Sequence, residues 1–99
     1  MSTPRRGDVW TTTTDVAVLV ISSTVYNEIA SEPTVIVVPV FDREPDAGFG
    51  VDAGDGWVAA GLVTSLRKTR LREHRRQVDI QTLTDVNNML FRILATPER

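Results

Sequence analysis

The 99-residue sequence predicts a small, strongly bent β-sheet or barrel with one helix packed on it at the C-terminus. Three observations point there. Two nearly continuous apolar runs, VAVLVI and TVIVVPV, have the composition of strands buried on both faces. Short segments broken by Gly, Pro and Asp, the turn-forming residues, lie among the remaining apolar runs. From Thr82 onward the apolar positions change to helical spacing, and the chain is too short for a second domain.

Val9 to Thr13 reads as the first strand, since Trp10 and the run of threonines suit extended backbone. Asp15 to Ile21 is the second strand, and TTTTDV leaves room for little more than a hairpin turn before it. In SSTVYNEIA, Ser22 or Ser23 can cap one or two helical turns. Thr34 to Val40 is a further buried strand, in which Pro39, lacking an N–H, belongs at an edge or a bulge. The stretch FDREPDAGFGVDAGDG is largely loop, with a short strand around Phe49 to Val51.

Trp57 to Leu66 then resumes as one strand, and Gln77 to Ile80 is the last, entered through a basic segment. Thr82 or Thr84 caps the final helix, with Asp85 in its first turn. Leu83, Val86, Leu90, Ile93 and Leu94 recur at helical spacing, and Thr96-Pro97 stops it. No repeat, low-complexity tract or linker divides residues 1–99, so they form one domain.

Composition narrows the chemistry. The absence of cysteine excludes disulfides, thiolate catalysis and Cys-based zinc sites, and one histidine, His74, cannot build a His-rich metal site. No metal or cofactor is expected. No apolar run is long enough to span a bilayer, and MSTPRRGD has no hydrophobic segment after its charges. The expectation is a cytoplasmic protein without signal peptide or membrane anchor. Net charge is −2, but unevenly spread: RKTRLREHRR, Arg67 to Arg76, holds six of the eleven Lys and Arg residues, whereas Asp42 to Asp55 holds five acids against Arg43 alone. Such a basic stripe can meet phosphates or an acidic peptide, or simply be a solvated strand. Charge alone leaves both open.

Four landmarks occur in order along the chain: RRGDVW (Arg5 to Trp10), VLVISSTVYN (ending at Asn27), VIVVPV (Val35 to Val40) and SLRKTRL (Ser65 to Leu71). They resemble the MazF/PemK family of toxin–antitoxin toxins: its opening R-G-[DE]-[IV]-W, its strand ending in Ser before a short Asn-containing helix, its V-P strand and its [ST]-[IL]-x-K-x-R-[LF] run. The resemblance implies an SH3-like or CcdB/PemK-like barrel, mainly β with a C-terminal helix, usually a homodimer. It implies an enzyme that cuts single-stranded RNA without metal, silenced by an antitoxin whose acidic tail lies across the active groove.

The resemblance is selective. Counted back from Ser22, the family's catalytic arginine falls on Val16 and the following proline on Ala17; counted on from Pro39, its catalytic threonine falls on Phe41. The family's [DE]-Q-[IV]-[RK]-[ST]-[IL] run falls on GLVTSL, so its acid, glutamine and basic residue become Gly61, Leu62 and Thr64. The long first loop is also missing. The family's mechanism needs a proton carrier and charge stabilisers, and these positions supply neither.

Of the side chains that could rebuild such chemistry, Asp15, Asp42, Arg43 and His74 stand near the relevant strand ends, with Arg43 and His74 the catalytic candidates. Histidine as a residue type suits proton transfer near neutral pH, yet alternation in RLREHRRQV equally places His74 on a solvated face beside arginines. Arg43, in DREPD, reads equally as part of a self-paired surface loop. For binding RNA or an antitoxin, the candidates are Arg67, Lys68, Arg70, Arg72, Arg75 and Arg76, because guanidinium makes bidentate contacts with phosphate or carboxylate. Trp10 and Trp57 read as core, since no aromatics interleave with these arginines.

Three functions follow from the resemblance: a toxin that cuts RNA through a relocated site, a catalytically silent member that binds an antitoxin or nucleic acid, and a CcdB-like topoisomerase poison. The last ranks lowest. Such poisons end their helix in Trp-Gly-Ile, where this chain has Arg92-Ile93-Leu94.

Overall fold

Strands β1 (Asp8–Thr12) and β2 (Ala17–Val20) pair antiparallel, with Val9 opposite Leu19 and Trp10 opposite Val18, in the computed structural model, which describes residues 3–95. The turn between them is tight. Thr12 N–H donates to the Val16 carbonyl at 2.9 Å, and Asp15 N–H donates to the Thr12 carbonyl at 2.9 Å. Asp15 adopts φ 64°, the left-handed conformation that aspartate tolerates better than most side chains. The second strand therefore starts at Ala17 rather than at Asp15, because Asp15 is spent on closing the turn.

Helix α1 (Thr24–Asn27) is a single turn capped by Ser23, whose hydroxyl accepts from Tyr26 N–H at 3.1 Å. Its last residue is structural. Asn27 is buried and donates through Nδ2 to the Pro4 and Ser22 carbonyls at 3.0 and 3.1 Å, while Ser22 Oγ donates to its Oδ1 at 2.6 Å. Ser22 Oγ also accepts from Ile36 N–H at 3.0 Å, so the Ser and Asn of VLVISSTVYN tie the N-terminal segment, α1 and the next strand together. At the start of that strand Glu32 accepts from both the hydroxyl and the N–H of Thr34, which hold its carboxyl below the usual glutamate range.

Strand β3 (Thr34–Phe41) is central and changes partners along its length. One side pairs with β2 throughout residues 37–40; the other pairs with β6 (Thr64–Arg67) at residues 34–37 and with β5 (Trp57–Ala59) at residues 40–41. Pro39 falls in the gap between these two partners. It is neither on an edge strand nor at a bulge, as expected from its missing N–H, but at the split that bends the sheet. The expected single strand from Trp57 to Leu66 is accordingly two strands, separated by a turn in which Leu62 N–H donates to the Ala59 carbonyl at 3.1 Å. β4 (Gly50–Asp52) adds outside β5, so the path runs β4-β5-β3-β2-β1-β7, with β6 branching from β3.

The basic segment is itself the last strand. β7 (Leu71–Gln77) pairs with the free edge of β1, after one 3₁₀ turn at Lys68–Arg70. The expected strand over Gln77 to Ile80 is overturned, because helix α2 (Ile80–Ala95) already begins there. Neither threonine caps α2. The Asp79 carboxylate accepts from Thr82 N–H at 2.8 Å, and that bond holds the carboxyl below the usual aspartate range. Leu94 points away from the core and is exposed, whereas Leu83, Val86 and Leu90 face it. The expected stop at Thr96-Pro97 lies outside the described residues. No helix among the described residues is long and apolar enough to cross a membrane.

The sheet buries both faces. On one, Val9, Leu19, Val38, Val58 and Val86 form a core beneath α2; on the other, Trp10, Val18, Val20, Val35, Val37 and Leu71 form a second core inside the bend. This double burial is why β2 and β3 are written almost entirely in Val, Leu and Ile. Trp10 is core, as expected; Trp57 is only half-buried.

Candidate functional site

β7 departs from strict alternation twice. Its register against β1 runs Gln77 to Asp8, Arg76 to Val9, His74 to Trp10, Glu73 to Thr11 and Leu71 to Thr12, so Arg75 and Arg72 are extra residues at two β-bulges. A bulge re-aims the side chains around it. Without them, His74 would share a face with Arg72 and Arg76. With them, His74 and Gln77 share the face of Trp10 and Asp8, while Arg76 joins Val9 on the other.

On the Val9 face, Arg72, Arg75 and Arg76 line an open groove of about 600 Å³, together with Asp15, Ala17, Phe41, Asp42 and Asp55. The arginines are not a free positive stripe. Arg72 Nη2 lies 2.7 Å from Asp15 Oδ1, Arg75 Nη1 lies 3.3 Å from Glu73 Oε1, and Arg76 Nη2 reaches both Asp55 and the Ala53 carbonyl, the latter at 3.0 Å. All three pairs are at least partly solvent-exposed, so each holds its geometry at small energetic advantage. Exchange for an outside carboxylate or phosphate therefore costs little.

Ala17 and Phe41 line this groove, and Val16, in the turn between Asp15 and Ala17, is exposed. Thus Phe41, where the family pattern expects its catalytic threonine, faces the arginines with a phenyl group, and Ala17, at the pattern's proline, adds a methyl. The other basic candidates lie elsewhere. Lys68 Nζ donates to the Ile29 carbonyl at 3.1 Å, and Arg67 and Arg70 are exposed around the 3₁₀ turn. Arg43 lines a separate shallow depression formed by residues 41–46.

On the opposite face, His74 Nε2 stands 3.1 Å from Asp8 Oδ1. Asp8 is buried, its side chain 7% exposed, and accepts from Arg5 N–H at 2.8 Å and from Gln77 Nε2 at 3.2 Å. The imidazole meets Trp10 edge to face with centroids 5.4 Å apart, and about half of it remains open to solvent. Thr3, Arg5, Asp8, His74 and Gln77 line a pocket of about 370 Å³. Among the described residues no group of three or more His, Cys, Asp or Glu could hold a metal ion.

Sequence reading found the arginines and His74 but missed Asp8, Asp15 and Asp55 as their partners, and missed the split between faces. One signal was present. Arg72, Arg75 and Arg76 cannot share a face under period-two alternation, so a common site for them demanded a bulge.

A family model described as PemK-like, MazF-like toxin of type II toxin–antitoxin systems matches residues 5–94. Among curated proteins, none matches the sequence. Among solved structures, an endoribonuclease from a mycobacterial species is similar over 100% of this chain and 98% of its own, at 23% identity and TM-score 0.84. A MazE–MazF complex from Deinococcus radiodurans is similar over 97% of this chain and 100% of its own, at 23% identity and TM-score 0.81. A mycobacterial endoribonuclease in complex with its cognate antitoxin is similar over the full length of both chains, at 22% identity and TM-score 0.78.

Proposed function

We propose that this chain, which belongs to the PemK-like, MazF-like family of type II toxin–antitoxin toxins, is held by an antitoxin whose acidic side chains enter the groove of Arg72, Arg75 and Arg76. The observation that carries the reading is the state of those arginines. Each guanidinium already holds a carboxylate, and the carboxylates of Asp15, Glu73 and Asp55 are all exposed. An acidic peptide offers the same contact from outside, at no change in chemistry. Neighbours of the same fold solved with an antitoxin support a protein partner for this chain.

A phosphate chain could make the same exchange with the arginines, but the groove offers neither a hydroxyl at Phe41 nor an arginine at Val16 for the family's chemistry. The protein works in the cytoplasm as a homodimer. The exposed apolar side chains Leu62, Val63, Phe91 and Leu94 support a second copy as their cover.

The test is co-expression with a candidate antitoxin, a small protein with an acidic tail. Copurification that weakens steadily with salt, together with growth arrest when the chain is expressed alone, is the expected result. A chain that neither arrests growth nor retains such a partner overturns the reading.

A further inference from the structure

We infer that Asp15 and Asp55 are in-chain competitors for the arginine groove: built-in carboxylates that an acidic partner displaces from Arg72 and Arg76 before it is held. The inference rests on the antitoxin reading of that groove and adds to it a contact that holds the affinity down. Two turns far apart in the sequence deliver these acids. Asp15 lies in the β1–β2 turn, and Asp55 lies in the loop between β4 and β5. Both line the same groove and each meets a guanidinium there. Glu73, the partner of Arg75, is a local pair along β7 and does not line the groove.

Neither carboxylate is needed by its own turn. Backbone bonds close the hairpin, from Thr12 N–H to Val16 and from Asp15 N–H to Thr12. The β4–β5 loop is closed by Ala53 N–H donating to the Gly56 carbonyl at 2.8 Å and by Gly54 N–H donating to Asp52 Oδ1 at 2.8 Å. Among the described residues, the Asp15 carboxylate pairs with Arg72 alone and that of Asp55 with Arg76 alone. Both acids therefore swing into water with their turns intact. The arginines stay where they are, because both belong to a strand paired with β1 and Arg76 keeps its bond to the Ala53 carbonyl at 3.0 Å. Opening the two pairs leaves no buried group without a partner.

The tether gives these acids their hold. A carboxylate in the same molecule acts at an effective concentration on the order of millimolar, so a lone acid at lower concentration does not replace it. A chain of acids does, for two reasons. Asp15 and Asp55 each meet their arginine through Nη2, whereas a free carboxylate can approach the guanidinium fork with both oxygens. Once the first exchange is made, the second takes place within the complex and at a comparable effective concentration. Asp42 is the useful contrast. It lines the same groove but forms no ion pair among the described residues, so it adds negative charge without occupying an arginine. Occupancy and mere charge can thus be told apart.

The experiment titrates the full chain, freed of any partner, into a fluorescently labelled hexaglutamate peptide and reads anisotropy, with thermal melts recorded for every variant. D15N and D55N are each expected to tighten binding about threefold, and D15N/D55N about tenfold, since two separate pairs add in free energy. Asparagine suits the test at position 15, because it tolerates the φ of 64° found there. D42N/E44Q removes the same two charges from the adjoining loop of residues 41–46 and frees no guanidinium, so its gain stays below about twofold. Wild-type affinity in D15N/D55N overturns the inference and leaves the antitoxin reading standing, as does an equal gain in D42N/E44Q. Hexaglutamate ignored by wild type and by D15N/D55N alike overturns both.

Discussion

The two faces of β7 hold charge in different ways. On one, three arginines lie at or beside bulges and pair with carboxylates that are largely in water, Asp15 76% and Asp55 73% exposed. On the other, a single half-exposed histidine leans on a carboxylate that is 7% exposed and held by two further donors. The first arrangement is exchangeable, because water and salt screen it and no buried group is orphaned when a pair opens. The second is fixed, because Asp8 cannot lose its partners without leaving a buried charge. A strand of seven residues thus carries one surface suited to trading partners and one suited to holding an orientation.

Stability measurements can break that contrast. Truncating Asp8 orphans Arg5 N–H and Gln77 Nε2 around a buried void, so Asp8→Ala should lower unfolding free energy by about 1–3 kcal/mol in urea titrations. A loss under about 0.5 kcal/mol would place Asp8 in the same class as the groove acids. Gly7, beside it, adopts φ 95°, and a Cβ there would come within 3.0 Å of Leu83 Cδ1, at the contact between β1 and α2. Gly7→Ala should cost roughly 1–2 kcal/mol by the same assay. Asp15→Asn and Asp55→Asn, by contrast, should each change stability by no more than about 0.5 kcal/mol.

The smallest effect concerns the start of α2. The Asp79 carboxyl is held below its usual range by Thr82 N–H, so its contribution is fully present above that range and is lost as pH falls through the lowered value. The melting temperature of the wild type should therefore fall more steeply below about pH 4 than that of Asp79→Ser, which keeps a capping oxygen without a charge. Parallel acid limbs would remove Asp79 from the account.

Much of this fold was legible in the sequence, and the reason is physical. β2 and β3 announce themselves because burial on both faces demands unbroken apolar runs, and α2 because Leu83, Val86 and Leu90 repeat at helical spacing. What stayed hidden was tertiary. Nothing local says that Trp57 to Leu66 breaks at Gly61 to serve two halves of β3, or that RKTRLREHRR pairs with β1 instead of leading into a strand. Propensity cannot recruit arginine into a strand; the open edge of β1 does. The groove shows the same limit, since its arginines were visible as a run, but their partners Asp15 and Asp55 come from distant turns.

The antitoxin groove is the claim on which the account turns, and affinity for the antitoxin tests it most directly. Calorimetric titration of an acidic-tailed antitoxin into the wild-type chain and into an Arg72→Ala, Arg75→Ala double variant should show at least a tenfold loss in the variant, equivalent to about 1.4 kcal/mol. That loss should shrink as salt rises. Equal affinity for both chains across the salt series would contradict the account and place the antitoxin somewhere other than the arginine face of β7.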